Sequence, residues 1–238
     1  MQFEICVTSV ASAQAAARAG AHRVELCSAL DNGGVTPSAG LIRACVEQGG
    51  LPVHVLIRPR EGHFRYDERE VAIMLADIQF CRQAAAAGVV IGALNPEGGI
   101  DVPVMRRLIA AADGLHITCH RAFDYALDPF EALDVLMDMG VQRLLTSGQA
   151  PSAYEGRFLL RDLVDKTQRR LHVMPGGGLT AKNIVETARI SGAVDLHFTG
   201  KIAKDAGETN ALPGLESAYW ESDETVLKNI IDQFTAPA

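Results

Sequence analysis

The chain has 238 residues, 48% of them hydrophobic and 21% charged, with a formal net charge of −7. That is enough material to bury the core of one large α/β domain, and an acidic balance without any Lys/Arg block argues against nucleic acid as a partner. No apolar run approaches the roughly 18 residues that span a bilayer, and five scattered cysteines without a Cys-x-x-Cys argue against a disulfide framework or a preformed zinc site.

The opening residues, Met1-Gln2-Phe3-Glu4-Ile5, enter a strand with neither a basic n-region nor a cleavage site, so cytoplasmic residence is the default expectation. Strands are predicted at Phe3–Val7, Arg23–Cys27, Val53–Arg58, Val89–Gly92, Leu115–His120, Arg143–Thr146, His172–Met174 and Asp195–Thr199. Helical stretches follow them in turn at Val10–Ala19, Ser38–Glu47, Asp67–Ala87, Val102–Ala112, Pro129–Met139, Ala153–Thr167, Ala181–Ile190 and Asp223–Phe234. Eight β-then-α units, in a length close to the roughly 250 residues typical of the fold, predict a single (β/α)8 TIM barrel over residues 1–238. Residues 201–238 form a less typical loop and closing helix. A doubly wound open sheet is the runner-up, but no Gly-x-Gly-x-x-Gly follows the first strand. Gly20, Gly49, Gly88 and Gly140 each fall between a helix and a strand, where glycine can take a positive φ.

Strand parity separates two faces. Phe3, Ile5, Val7, Val24, Leu26, Val53, Val55, Ile57, Leu196 and Phe198 form the apolar set expected to face the helices. The alternate positions place Glu4, Glu25, His54, Arg58, Thr118, His120 and His197 in the lumen, where branched apolar side chains are usual. An anionic lumen and an anion-attracting rim follow as expectations.

Glu4, Glu25 and His120 are candidates for proton transfer, with carboxylate pKa values set by burial and by Arg58. The alternative for Glu4, Glu25 and Arg58 is a buried ion-pair network that fills the lumen. His120 ends its strand beside Arg121, Phe123 and Asp124, which favours chemistry, whereas His54 reads as a satisfied core histidine. Arg58-Pro59-Arg60 sets two guanidiniums near the mouth to orient a carboxylate or phosphate, and a surface salt bridge is the alternative for Arg60. Pro175-Gly176-Gly177-Gly178 precedes a helix expected near Thr180, so the amides of Gly176, Gly177 and Gly178 are candidate anion ligands. Gly200 after strand eight and Ser147 after strand six join that set. A tight structural turn is the alternative.

Cys6 and Cys27 each stand two residues past a glutamate, on neighbouring strands about 4.8 Å apart. Two such sulfurs can hold Cu(I) in near-linear coordination, supply a nucleophile, or pack as small hydrophobes. Cys45 and Cys81 read as helix core.

The ordered motifs Glu-Ile-Cys-Val (4–7), Arg-Val-Glu-Leu-Cys-Ser (23–28), Gly-Gly-Val-Thr-Pro-Ser (33–38) and Ile-Arg-Pro-Arg (57–60) are distinctive. With Gly-Ala-Leu (92–94), His-Arg-Ala-Phe-Asp (120–124), Leu-Thr-Ser-Gly (145–148) and Met-Pro-Gly-Gly-Gly (174–178), they resemble the CutC family of copper homeostasis proteins. The resemblance implies a cytosolic TIM barrel, a homo-oligomer (dimer or tetramer), and Cu(I) ligation by the cysteines that are Cys6 and Cys27 here. It also implies an enzyme of unknown substrate. Two functions therefore stand: copper binding, or catalysis on a small anionic, phosphorylated or carboxylated, molecule. The chain departs from the family pattern at His63, Cys119 and Thr199, and in a tail containing Leu212-Pro213-Gly214 and Tyr219-Trp220.

Overall fold

A computed structural model describes residues 1–205 and 218–234. Its eight barrel strands are β1 (Gln2–Val7), β2 (Arg23–Leu26), β3 (Val53–Leu56), β4 (Gly88–Ile91), β5 (His116–Cys119), β6 (Arg143–Thr146), β7 (His172–Pro175) and β8 (Asp195–Phe198). Between them run α1 (Val10–Arg18), α2 (Ala39–Gln48), α3 (Glu68–Gln83), α4 (Val102–Ala111), α5 (Pro129–Asp138), α6 (Arg157–Thr167) and α7 (Ile184–Ser191). The strands pair in parallel in the order β7-β6-β5-β4-β3-β2-β1-β8, and a parallel bridge from Gly176 to His197 joins the two ends. This is the (β/α)8 barrel that the alternating elements predict. An antiparallel hairpin, β9 (Lys201–Asp205) with β10 (Ala218–Ser222), then leads into α8 (Glu224–Ile231). Leu212-Pro213-Gly214 lies outside the described residues. Among those described, no helix is long and apolar enough to cross a membrane.

Helix starts follow from local chemistry. Ser9, Ser38, Asp101 and Asp223 each accept a backbone N–H from the first turn, and Asp67 with Glu70 forms a full capping box. Such caps stabilise a helix by about 1 kcal/mol each. α6 and α7 begin later than expected, and neither Gly156 nor Asn183 caps with its side chain. The residues freed from α6 form a loop whose Ala153 N–H donates to Gly177 O at 2.9 Å, fastening it to the glycine run.

Parity is as the alternation implies. Ile5, Val24, Leu26, Val55, Ile57, Ile91, Cys119 and Leu196 point outward into a buried layer shared with Met74, Ile78, Met105, Leu108, Leu133 and Leu136 of the helices. Gly88 departs from its expected role. It belongs to β4, and Ala85 takes the left-handed position after α3 (φ 58°). Glycine is needed at 88 for space: a Cβ there would stand 2.7 Å from His116 O and 3.0 Å from His54 Nδ1. After α2 the positive φ likewise falls on Gly50, not Gly49.

Candidate functional site

The lower lumen is an ion network. Glu4 and Asp195 both accept from Arg23, at 2.6 Å each, and Arg143 stands 3.8 Å from Glu4 and 3.5 Å from Asp195. His172 Nδ1 meets the second oxygen of Asp195 at 2.9 Å. Burial opposes ionisation of Glu4, yet the His197 hydrogen bond and the Arg23 charge outweigh it and hold this carboxyl well below the usual range. Two carboxylates thus face two guanidiniums. The expectation of an anionic lumen is corrected here, because Arg23 and Arg143 balance the acids. His54 is also not the satisfied core histidine expected. Burial pushes its pKa down to about 4, and its Nδ1 has no hydrogen-bond partner among the described residues. Its neighbours include the His116 ring at 5.1 Å, Gly88, and Glu4 Oε2 at 3.9 Å from Nδ1, beyond hydrogen-bond reach.

One layer higher, His197 sits between two carboxylates. Its Nδ1 lies 3.0 Å from Glu4 Oε1 and its Nε2 3.3 Å from Glu25 Oε2. Burial disfavours the imidazolium, but Glu25 and Glu4 outweigh that and raise the His197 pKa. Burial also raises the pKa of Glu25, which lacks an arginine partner. Glu25 and His197 thus face each other at 3.3 Å, with Glu4 fixing the far ring nitrogen.

Cys6 and Cys27 complete this layer with their sulfurs 3.6 Å apart, packed against Leu56 and Val90. The hydrogen bond to Cys27 comes first, with burial and the Glu25 charge behind it, in raising the Cys6 thiol well above its ordinary pKa. A Cys6 sulfur, a Glu25 oxygen and a His197 nitrogen lie within 4.8 Å of one another, a buried set able to hold a metal ion. A linear sulfur–metal–sulfur unit with bonds of about 2.3 Å would need about 4.6 Å between sulfurs. At 3.6 Å the two thiols stand closer than that, so a near-linear unit would require the sulfurs to move apart.

Above these side chains opens a cavity of about 1070 Å³, lined by Cys6, Glu25, Cys27, Leu56, His120 and His197 below and by Gly177, Gly178, Lys182, Gly200 and Lys201 at the rim. His120 is 4% exposed. Its Nδ1 accepts the Ala122 N–H at 3.1 Å, so the ring proton resides on Nε2, which has no partner among the described residues. Burial and then the Arg58 charge push its pKa down to about 3. The ring is therefore neutral near pH 7, with its N–H on Nε2.

The other predicted site residues divide. Glu4 is fully buried beneath the cavity and reaches it only through His197. Arg58 lines the cavity, but its guanidinium donates to the carbonyls of Asn32, Gly34 and Gly62, clipping two loops together, and pairs with neither Glu4 nor Glu25. Arg60 bonds Glu70 through two nitrogens and also donates to the carbonyls of Glu61, His63 and Arg65, so it organises its own loop. Ser147 is fully buried, with its hydroxyl between Asp124 and Ala150 O, and stays off the cavity wall. Gly176 bridges β7 to β8 beneath the rim that Gly177, Gly178 and Gly200 help to line. His63 lies in a separate hollow with Arg65 and Tyr125, away from the sulfurs. Trp220 and Lys201 of the hairpin both bond Asp31, at 2.8 and 2.9 Å, strapping the tail to the β2–α2 loop.

Two residues at the site have no assigned role in the sequence reading. His197 has the right parity, but its importance comes from two carboxylates on other strands. Arg121 follows His120 directly, and nothing local distinguishes it from Arg58 or Arg60.

Comparison with known proteins accounts for the ordered motifs. The family model described as the CutC family matches residues 1–202. A CutC protein of Pasteurella multocida is 40% identical over 237 residues, 97% of either chain. The copper homeostasis protein cutC homolog of Mus musculus is 45% identical over 205 residues, 86% of this chain and 75% of its own. A CutC structure from Streptococcus agalactiae superposes with a TM-score of 0.80 at 32% identity, covering 84% of this chain and 98% of that one. On the barrel, its motifs and these relatives, the chain belongs to the CutC family of copper homeostasis proteins.

Proposed function

We propose that this CutC-family protein is a cytoplasmic enzyme that moves a proton on a small anionic metabolite held in the barrel mouth. The observation that carries this reading is the His120 side chain, whose Nε2–H has no partner among the described residues, on the wall of the cavity that the Glu25–His197 pair also lines. Glu25 takes or returns the substrate proton, and His197, held through Nδ1 by Glu4, relays it. The neutral His120 donates its N–H to a substrate oxygen on which negative charge develops, as a preorganised dipole in a dry site. The amides of Gly177 and Gly178 and the Lys182 ammonium group give the rim its attraction for anions.

A thermal-shift screen of phosphorylated and carboxylated metabolites tests this. A ligand present at one hundred times its Kd stabilises the fold by about 2.7 kcal/mol. Glu25→Gln and His120→Ala are expected to weaken binding at least tenfold or to abolish turnover. A screen in which no compound raises Tm, or one in which both variants respond like wild type, would sink the proposal.

A second reading rests on a different observation, the 3.6 Å pair of sulfurs with Glu25 and His197 within reach. In it, Cu(I) displaces the thiol protons and is held by Cys6 and Cys27 with one further ligand. Anaerobic Cu(I) titration against a competing chelator decides it. Stoichiometric binding lost in Cys6→Ser/Cys27→Ser supports the copper site, and binding unchanged by the double substitution removes it.

A further inference from the structure

Arg121 begins the 3-10 turn Arg121–Tyr125, and its side chain, 43% exposed, lies on the cavity wall. Its Nε donates to Asp124 Oδ2 at 2.7 Å and its Nη2 to Ser147 Oγ at 3.0 Å. Those two acceptors are only 3.0 Å from each other. They must therefore lie along one edge of the guanidinium, the edge that Nε and Nη2 share. A guanidinium carries five N–H donors in a flat fork. Two are engaged, and the outer edge keeps a parallel pair, one on Nη1 and one on Nη2. Nη1 makes no hydrogen bond to the described residues.

The orientation is locked from behind. Asp124 is 5% exposed and also accepts from the Thr146 hydroxyl and from the N–H groups of Ser147 and Gln149. Arg121 cannot turn without taking from a buried carboxylate the cation that pairs with it. In front of it stands Gly177, where a Cβ would come within 3.2 Å of Nη1 and where φ is +101°. The carbonyls of Gly177 and Gly178 accept from Ala153 N and Asn183 Nδ2, both at 2.9 Å, while their amides donate to no protein group in the described residues. Arg58 and Arg60 are occupied by loop carbonyls and Glu70. Among the arginines lining this cavity, Arg121 is the one with a free edge.

The geometry points to the outer edge of Arg121, above the amides of Gly177 and Gly178, as the receptor for a pair of anionic oxygens on the ligand, with Asp124 and Ser147 as positioning residues. Carboxylates and phosphate monoesters both offer such a pair, and the guanidinium fork matches it bidentately. This inference rests on the cavity reading above and adds the substrate class to it.

Phenylglyoxal labelling of the intact protein, read at Arg121 by mass spectrometry, tests the receptor directly. Inorganic phosphate and acetate are compared with chloride at constant ionic strength. Slower labelling with phosphate alone assigns a phosphate monoester, and slower labelling with acetate assigns a carboxylate. Calorimetry with the protecting anion should show roughly a tenfold loss of affinity in Arg121→Gln. Arg121→Lys, which keeps the charge and loses the fork, should recover only part. Asp124→Asn should speed the labelling of Arg121. Absence of protection by either anion, or wild-type affinity in Arg121→Gln, overturns the assignment. If metabolites still bind in a manner dependent on Glu25 and His120 while Arg121→Gln has no effect, only the receptor is wrong. If none of the three substitutions matters, the cavity reading falls with it.

Discussion

The lower lumen and the mouth of this barrel hold the same kinds of side chain in opposite circumstances. Below, the carboxylates of Glu4 and Asp195 share Arg23 at 2.6 Å and lie close to Arg143. Above, Glu25 has only a histidine and a thiol beside it, His120 keeps an unpartnered nitrogen, and Arg121 keeps an open edge. A buried charge with a complete set of partners holds a fold together but has nothing left to offer a ligand. Polar groups left incomplete over a large cavity mark where binding free energy is available. The contrast sets a fully paired floor against a mouth whose polar groups are left open.

Several measurements can break that division. Arg23→Met should do the most damage, because it strips two buried carboxylates of their closest cation; a loss of about 3–5 kcal/mol in urea denaturation is expected. A loss below about 1 kcal/mol would show that the floor is not structural.

The pH dependence comes next. His54 and His120 have folded pKa values of about 4 and about 3, below the ordinary histidine value. Between pH 6.5 and those values the unfolded chain binds protons that the folded chain refuses, so stability falls with falling pH. The slope is about 1.4 kcal/mol per pH unit for each residue. His120→Gln should remove roughly half of the part due to these two. His197, with a raised pKa, has the opposite sign. Its contribution is complete below the ordinary histidine value and is lost as pH rises through the folded one, so His197→Asn should flatten the alkaline side. Melting curves across pH would expose either error.

Glu25→Gln sharpens the comparison with a small effect. Burial already favours the neutral carboxyl there, so stability should stay within about 1 kcal/mol of wild type while ligand binding is lost. A large destabilisation would make Glu25 part of the floor. Arg60→Met should matter least: a partly exposed pair with Glu70 contributes about 1 kcal/mol or less, and anion binding should not change. A loss of anion affinity in that variant would restore Arg60 to the site.

The barrel, its strand parity and much of its mouth are legible in the chain. Alternation with period two is a local property, so Glu25, Cys6, Cys27 and His120 can be assigned to the lumen before any fold is known. Caps at Ser9, Asp67 and Asp223 are equally local. The partners of these groups are not. Arg58, Arg60 and Arg121 all follow a barrel strand and look alike in sequence. The carbonyls of Gly34 and Gly62 occupy the first, Glu70 occupies the second, and Asp124 and Ser147 leave the third one edge free. Gly34 and Ser147 come from other loops, and even the nearer acceptors Gly62, Glu70 and Asp124 are met only once the chain after each arginine has folded back on it. Gly88 is a similar case, since its space is required by His54 and His116 on the adjacent strands.

By itself, then, the sequence determined the element order, the barrel and the face on which each strand residue lies, because hydrophobic periodicity and capping act over a few residues. Only the tertiary structure decided which buried charges are neutralised, which imidazole is a donor, and which guanidinium is free. Those properties depend on distances between side chains brought together from different strands, as with Glu4 and His197, 193 positions apart and 3.0 Å from each other.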